Sequence, residues 1–113
     1  MAHRVDGYSF GEIIIDGKSY HHDVIIYKDN ILDWWRSESH RVSVNDADKI
    51  IQLKPQTIIF GLGESGCMVI PQETQEYLKQ QQVDFISLRT GEAYQKYNEM
   101  AEQNVAAALH LTC

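Results

Sequence analysis

The stretch Ile58-Ile59-Phe60, entered from Pro55 through Thr57 and left through Gly61, offers no polar side chain to either face. A strand of that kind is covered on both sides, which is the situation of a central parallel strand in an α/β domain. The flanking sequence supplies the covering helices. Ser43 reads as an N-cap with Asp46 three residues on, and Val44, Ala47, Ile50 and Ile51 recur at helical spacing until Pro55. Downstream, Cys67 to Ile70 is a short β-like run, Pro71 suits a helix start, and residues 73–82 follow with Tyr77 and Leu78 as the inner face. Val83 to Leu88 reads as a strand. Thr90 then caps a helix whose stripe is Ala93, Tyr94, Tyr97, Met100 and Ala101.

Val105 to Leu111 closes the series. Alanine favours helix, but this run is apolar without a break from Val105 to Leu109 and the preceding helix ends near Gln103-Asn104, so a strand is expected. At the other end, Tyr8 to Ile15 and Lys18 to Tyr27 flank Asp16-Gly17, a hairpin signal. Residues 28–42 lack periodicity and read as a long loop. The expected architecture is a three-layer α/β domain: a central mixed, mainly parallel sheet flanked by helices, with an N-terminal antiparallel β-hairpin. A length of 113 residues makes it one domain, residues 1–113.

Charge and hydropathy narrow the function classes. A net charge of −6 leaves little for a phosphate backbone to bind, so nucleic acid is not an expected partner. No apolar stretch approaches the roughly 20 residues of a spanning helix, and Met1 to Asp6 lacks the apolar core of a signal peptide. No membrane association and a cytoplasmic location are expected. In that compartment Cys67 and Cys113 stay reduced.

Residues 61–66, Gly-Leu-Gly-Glu-Ser-Gly, spell G-x-G-x-x-G after a strand. A dinucleotide site needs a helix to begin within that loop, and here a β-like run intervenes before Pro71. An ordinary glycine turn remains, or an anion nest with Glu64 and Ser65 at its tip. His21-His22-Asp23 cannot hold one metal ion from a strand, because neighbours point to opposite faces. It reads as a solvated strand edge, and neither a metal nor a cofactor is expected. His110 and Cys113 make a Cys–His pair only if the chain end is docked. Trp34-Trp35-Arg36 with His40 combines residue types enriched at interaction hot spots. Its alternative is a tryptophan that lids the core beside an arginine paired with a loop acid.

The blocks DWWRSESH, TIIFGLGESG, VIPQETQEYL, RTGEAYQKYNEM and VAAALHLTC, in this order over residues 8–113, resemble the Mth938-like domain family. That family of unknown function takes in the adipogenesis-associated domain protein and, more distantly, mitochondrial complex I assembly factor three. The resemblance implies a three-layer α/β fold, no established cofactor, and assembly or regulatory roles in eukaryotic members. The positions the family keeps correspond to Trp35, Arg36, His40, Pro55, Gly61, Gly63, Pro71, Thr90, Ala93, Tyr97, Asn98 and His110. Two departures bear against an anion site: Leu62 stands where the family's loop has threonine, and Asn104 where a basic residue is frequent.

Two functions follow as expectations. The first is a non-enzymatic binding or assembly module with a protein partner, its surface formed by Trp35, Arg36 and His40 together with Gly61, Gly63, Glu64, Ser65, Asn98 and His110. The second is an enzyme for a small anion or nucleotide, with residues 61–66 as nest, Arg36 as counter-charge and His40 or His110 as acid/base. Self-association into a homo-oligomer is a third expectation.

Overall fold

The computed structural model describes residues 2–113. In chain order the elements are β1 (Val5–Ser9), β2 (Glu12–Ile15), β3 (Lys18–Tyr20), β4 (Val24–Tyr27), β5 (Asn30–Asp33), α1 (Val44–Ile51), β6 (Thr57–Leu62), α2 (Gln72–Gln80), β7 (Asp84–Leu88), α3 (Thr90–Met100) and β8 (Val105–His110). Strands β1-β2-β3 form an antiparallel sheet, and the larger sheet has the order β5-β4-β8-β6-β7. Within it β6 runs parallel to both β7 and β8, while β4 is antiparallel to β8 and β5. The sheet is therefore mixed, as expected.

Alternation along the strands divides the interior into two cores. Ile58, Phe60, Ala106, Ala108, Ile25 and Tyr27 face α1 and α2, meeting Ala47, Ile50 and Leu78. Ile59, Ala107, Leu109, Val24 and Ile26 face the other way, onto Ala93 and Tyr97 of α3 and onto Val5, Ile13 and Ile15 of the small sheet. The three layers are thus α1 with α2, the five-stranded sheet, and α3 with β1–β3. The alanines of β8 lie between large neighbours: Ala106 pairs with Tyr27 and Ile58, and Ala108 with Ile25 and Phe60. Their helix propensity, a few tenths of a kcal/mol each, is outweighed by a fully buried central position.

The α1 cap is the expected capping box. Ser43 Oγ accepts from the Asp46 N–H at 3.1 Å and Asp46 Oδ2 accepts from the Ser43 N–H at 2.9 Å.

Several local expectations are corrected. The hairpin is a three-stranded sheet, because a turn at Phe10-Gly11 breaks the first arm and the second arm divides into β3 and β4, which join different sheets. The 28–42 loop contains β5, paired with β4. Residues 67–70 form no strand; only a lone bridge joins Arg41 and Val69. In α2 the buried pair is Thr74 and Leu78, since Tyr77 turns to Asp48 at 2.6 Å. Thr90 does not cap α3, whose N-cap is Arg89. Its hydroxyl accepts from the Gly63 N–H at 2.9 Å and donates to the His110 carbonyl, riveting the ends of β6 and β8 together. Among the described residues no helix is long and apolar enough to cross a membrane.

Candidate functional site

The carboxyl ends of β6 and β8 lie side by side, Leu62 opposite His110. In parallel α/β sheets this is the end where ligands bind. Three segments converge there: the turn before β4, which carries Asp23; the chain after β5, which carries Trp34, Trp35, Arg36 and His40; and the glycine loop after β6.

At their junction Asp23 is saturated with donors. Oδ2 accepts from Arg36 Nη2 at 2.7 Å and from His110 Nδ1 at 2.7 Å, and Oδ1 accepts from the Leu111 N–H at 2.8 Å. An ionised carboxylate only accepts, so it fixes the His110 proton on Nδ1. Burial alone would raise the Asp23 value, but the hydrogen bonds from His110, Leu111 and Arg36 outweigh it and hold the carboxyl below its usual range. The two donors, Arg36 Nη2 and His110 Nδ1, stand 3.2 Å apart. The carboxylate between them makes that approach tolerable.

The Arg36 side chain is only 3% exposed. Its guanidinium lies 4.2 Å over the Trp34 ring, and Nη2 also donates to the Ser39 carbonyl at 2.7 Å. Nε and Nη1 of Arg36, and Nε1 of Trp34, are buried without a hydrogen-bond partner among the described residues. A buried cation with idle donors is costly.

The two tryptophans take opposite roles. Trp34 is 4% exposed and packs on Phe60, whereas Trp35 is 73% exposed. Two shallow recesses, of about 220 and 510 Å³, adjoin Trp35. Asp33 and Trp34 line both, while Asp23 and Arg36 line the smaller one and Leu32 the larger.

His40 and His110 meet edge to face, with ring centroids 5.4 Å apart. Cys113 is docked, but against His40 rather than His110, with Sγ 3.5 Å from His40 Nε2. The remaining His110 nitrogen, Nε2, lies 3.4 Å from the Thr112 hydroxyl.

The glycine loop spends the N–H groups of Gly63, Glu64 and Gly66 inside the protein. Besides the Gly63 bond to Thr90, Glu64 N donates to the Thr112 carbonyl at 2.7 Å, Gly66 N to the Gly63 carbonyl at 3.3 Å, Cys67 N to the Cys113 carbonyl at 3.0 Å and Met68 N to the Leu62 carbonyl at 3.1 Å. An anion nest needs such donors free. The glycines serve close approach instead. A Cβ on Gly61 would sit 2.8 Å from a Leu109 methyl and 2.9 Å from the Thr90 hydroxyl, and one on Gly63 (φ +98) would sit 2.4 Å from the Cys113 carbonyl carbon.

Of the other residues expected at the site, Ser65 is exposed at the loop tip and Glu64 accepts from the Tyr8 hydroxyl at 3.1 Å. That phenol is pushed up to about 12, by burial first and then by its bond to Glu64, and it also reaches the Leu111 carbonyl at 2.9 Å. Asn98 lies elsewhere: it clamps Val5, accepting from its N–H at 2.9 Å and donating to its carbonyl at 2.8 Å. His21 and His22 are exposed as expected, but on the turn between β3 and β4 rather than on a strand edge, facing Glu12 at 3.8 Å and Asp33 at 3.2 Å. Asp23, read as part of that edge, turns inward. Its signal was position, a carboxylate immediately before the wholly buried Val24–Tyr27. Among the described residues no three His, Cys, Asp or Glu side chains are grouped to hold a metal ion.

A family described as a protein of unknown function (DUF498/DUF598) matches residues 5–110. Among solved structures, the chain is similar to the conserved hypothetical protein PH1505 from Pyrococcus horikoshii OT3, with 23% identity over 97% of this chain and 99% of that one and a TM-score of 0.88. It is similar to MT938, with 25% identity over 99% of this chain and 100% of that one and a TM-score of 0.82. A Bordetella pertussis protein described as a Mth938-like domain matches with 14% identity over 96% of this chain and 85% of that one and a TM-score of 0.78. The Mth938-like resemblance and the α/β fold it implied are thereby borne out.

Proposed function

The chain belongs to the DUF498/DUF598 family of unknown function, and from that premise we propose that it is a binding module whose contact surface is centred on Trp35. The observation that carries this reading is an exposed indole held between two buried neighbours. Trp34 is sealed against Phe60, and Arg36 is fixed by Asp23 and the Ser39 carbonyl. Ordering a side chain on binding costs about 0.5–1.5 kcal/mol, and a backbone anchored on both sides lowers the ordering cost at Trp35. Tryptophan is among the commonest hot-spot residues, and the recesses beside it give a partner's side chains somewhere to enter. Leu32, 41% exposed on the edge strand β5, extends the apolar patch. Arg36 acts in this surface from below, as the anchor of the loop, and a protein partner suits an aromatic knob better than a small anion does.

Trp35→Ala is the test. Its fold should be unchanged by circular dichroism, and stability should stay within about 0.5 kcal/mol of the parent, as for an exposed residue without structural contacts. A partner captured by the parent protein should be lost by the variant. Identical partner sets for the two proteins at equal folding would overturn the reading, and sedimentation of both separates a second copy of the chain from a different protein.

The Asp23–His110 hydrogen bond favours a second reading, an enzyme acting on a small ligand with His110 oriented as acid/base by a carboxylate. Its His110 side chain is 4% exposed, so substrate would have to displace the His40 loop. Thermal shift against small anions and nucleotides addresses it. A saturable shift abolished by His110→Ala supports the enzyme reading, and a flat panel removes it.

A further inference from the structure

Beside this surface, Cys67 and Cys113 are both free thiols, one exposed and the other half-buried. The Cys67 N–H donates to the Cys113 carbonyl at 3.0 Å, and three residues earlier in the loop the Glu64 N–H donates to the Thr112 carbonyl. The planar carbonyl places the Cys113 Cα about 2.4 Å from its oxygen and the Cys67 Cα lies about 1.5 Å from its nitrogen, so across the 3.0 Å hydrogen bond the two Cα atoms are at most about 6.9 Å apart, and the bends at nitrogen and oxygen bring them inside the ~4.4–6.8 Å of disulfide-bonded cysteines. His40 distinguishes the two thiols. Its Nε2 lies 3.5 Å from Cys113 Sγ, positioned to take the thiol proton, and among the described residues no histidine stands at hydrogen-bond distance from the Cys67 sulfur.

We propose that Cys113 and Cys67 form a reactive thiol pair that takes low-molecular-weight disulfides, Cys113 attacking first and Cys67 resolving the adduct. In the first step Cys113, having passed its proton to His40, attacks one sulfur of R–S–S–R. A Cys113–S–S–R bond forms, the reagent S–S bond breaks, and R–S⁻ leaves with the proton. In the second step the Cys67 thiolate attacks the Cys113 sulfur, forming the Cys67–Cys113 disulfide and releasing the second R–S⁻, which takes up the Cys67 proton. The protein is oxidised by two electrons and the reagent reduced to two thiols. The product ties the glycine loop covalently to the segment after β8, beside His40 and the Asp23–Arg36–His110 cluster.

The experiment treats the native protein with oxidised glutathione at neutral pH and follows intact mass, with peptide mapping of the product. The expected product has lost two hydrogens, carries no glutathione and yields a linked peptide containing Cys67 and Cys113. Cys67→Ser should stop at a glutathione adduct on Cys113, and Cys113→Ser should give no linked product. His40→Ala should slow the first step by about tenfold or more, within the range of a lost proton acceptor. Unchanged mass, stable adducts on both cysteines without linkage, disulfide-linked dimers in place of the internal bond, or an unaltered rate in His40→Ala would each overturn the assignment.

Discussion

The two ends of the paired strands β6 and β8 are both closed by side-chain hydrogen bonds, but by different chemistry. At the amino end Asn104 Oδ1 accepts from the Tyr27 hydroxyl at 2.6 Å, its amide donates to the Lys54 carbonyl at 3.1 Å, and its own carbonyl accepts from Gln56 N at 2.9 Å. Every group there is neutral. At the carboxyl end an aspartate, an arginine and a histidine are packed together, and two guanidinium nitrogens have no partner among the described residues. Neutral groups seal a strand end at little desolvation cost, so stability alone does not account for buried ions at the opposite end. The contrast is one of cost: the carboxyl end is closed by charges that must be paired, the amino end by neutral groups that need not be.

The largest test of the contrast is Asp23→Ala. It strands the Arg36 charge in the interior, and chemical denaturation should show a loss of about 3–5 kcal/mol. A loss below about 1 kcal/mol, the worth of one ordinary hydrogen bond, would mean that the cluster is no more demanding than its neutral counterpart, and the comparison would collapse. Next is the acid limb. Because the folded Asp23 value is depressed, its contribution is complete above the ordinary carboxylate value near ~4 and is lost as pH falls through the lower folded value. Stability measured between neutrality and strong acid should fall with that dependence, and Asp23→Ala should flatten it. The variant should retain the part owed to Asp16, whose value is lowered chiefly by the hydrogen bond from His3. At the amino end Asn104→Ala should cost only about 1 kcal/mol, the net worth of an ordinary hydrogen-bonded group at the surface. No limb of the pH profile should move with it.

The parts legible in the sequence are those where periodicity acts alone. β6, β7, α3 and β8 each carry an apolar pattern long enough to decide their type, and the Ser43–Asp46 box announced α1. Where the pattern failed, local chemistry was masked. Phe10 continues the alternation of Tyr8 to Ile15 and so hides the turn at Gly11, and Ile31-Leu32 is too short a run to reveal an edge strand between Asn30 and Asp33. The candidate site was half visible. Trp34 and Trp35 had to tuck in or stand out, and they do one each; His110, at the end of an apolar run, lies buried and bonded to Asp23. Asp23 was missed because the sequence carries no periodic link between it and its partners, which are Arg36 downstream and His110 near the chain end. For Arg36 the sequence offers two readings, a contact-surface charge or a partner of a loop acid beside a core-lidding tryptophan, and the second is the one found: Trp34 lies on Phe60 and Arg36 on Asp23.

In the strand order, β4 and β5 meet β6 and β7 only through β8, with Val24 paired to Leu109 and Thr57 to Val105. The β4–β5 hairpin and the β6–α2–β7 unit are each built from near neighbours in the chain and can be assembled early. Neither has a finished side until the alanine strand arrives between them. Closing that span brings together residues most of the chain apart, and such long-range pairings set slow folding rates. Any fragment that stops short of Val105 holds two half-sheets with open edges, the condition in which strands of different molecules join one another.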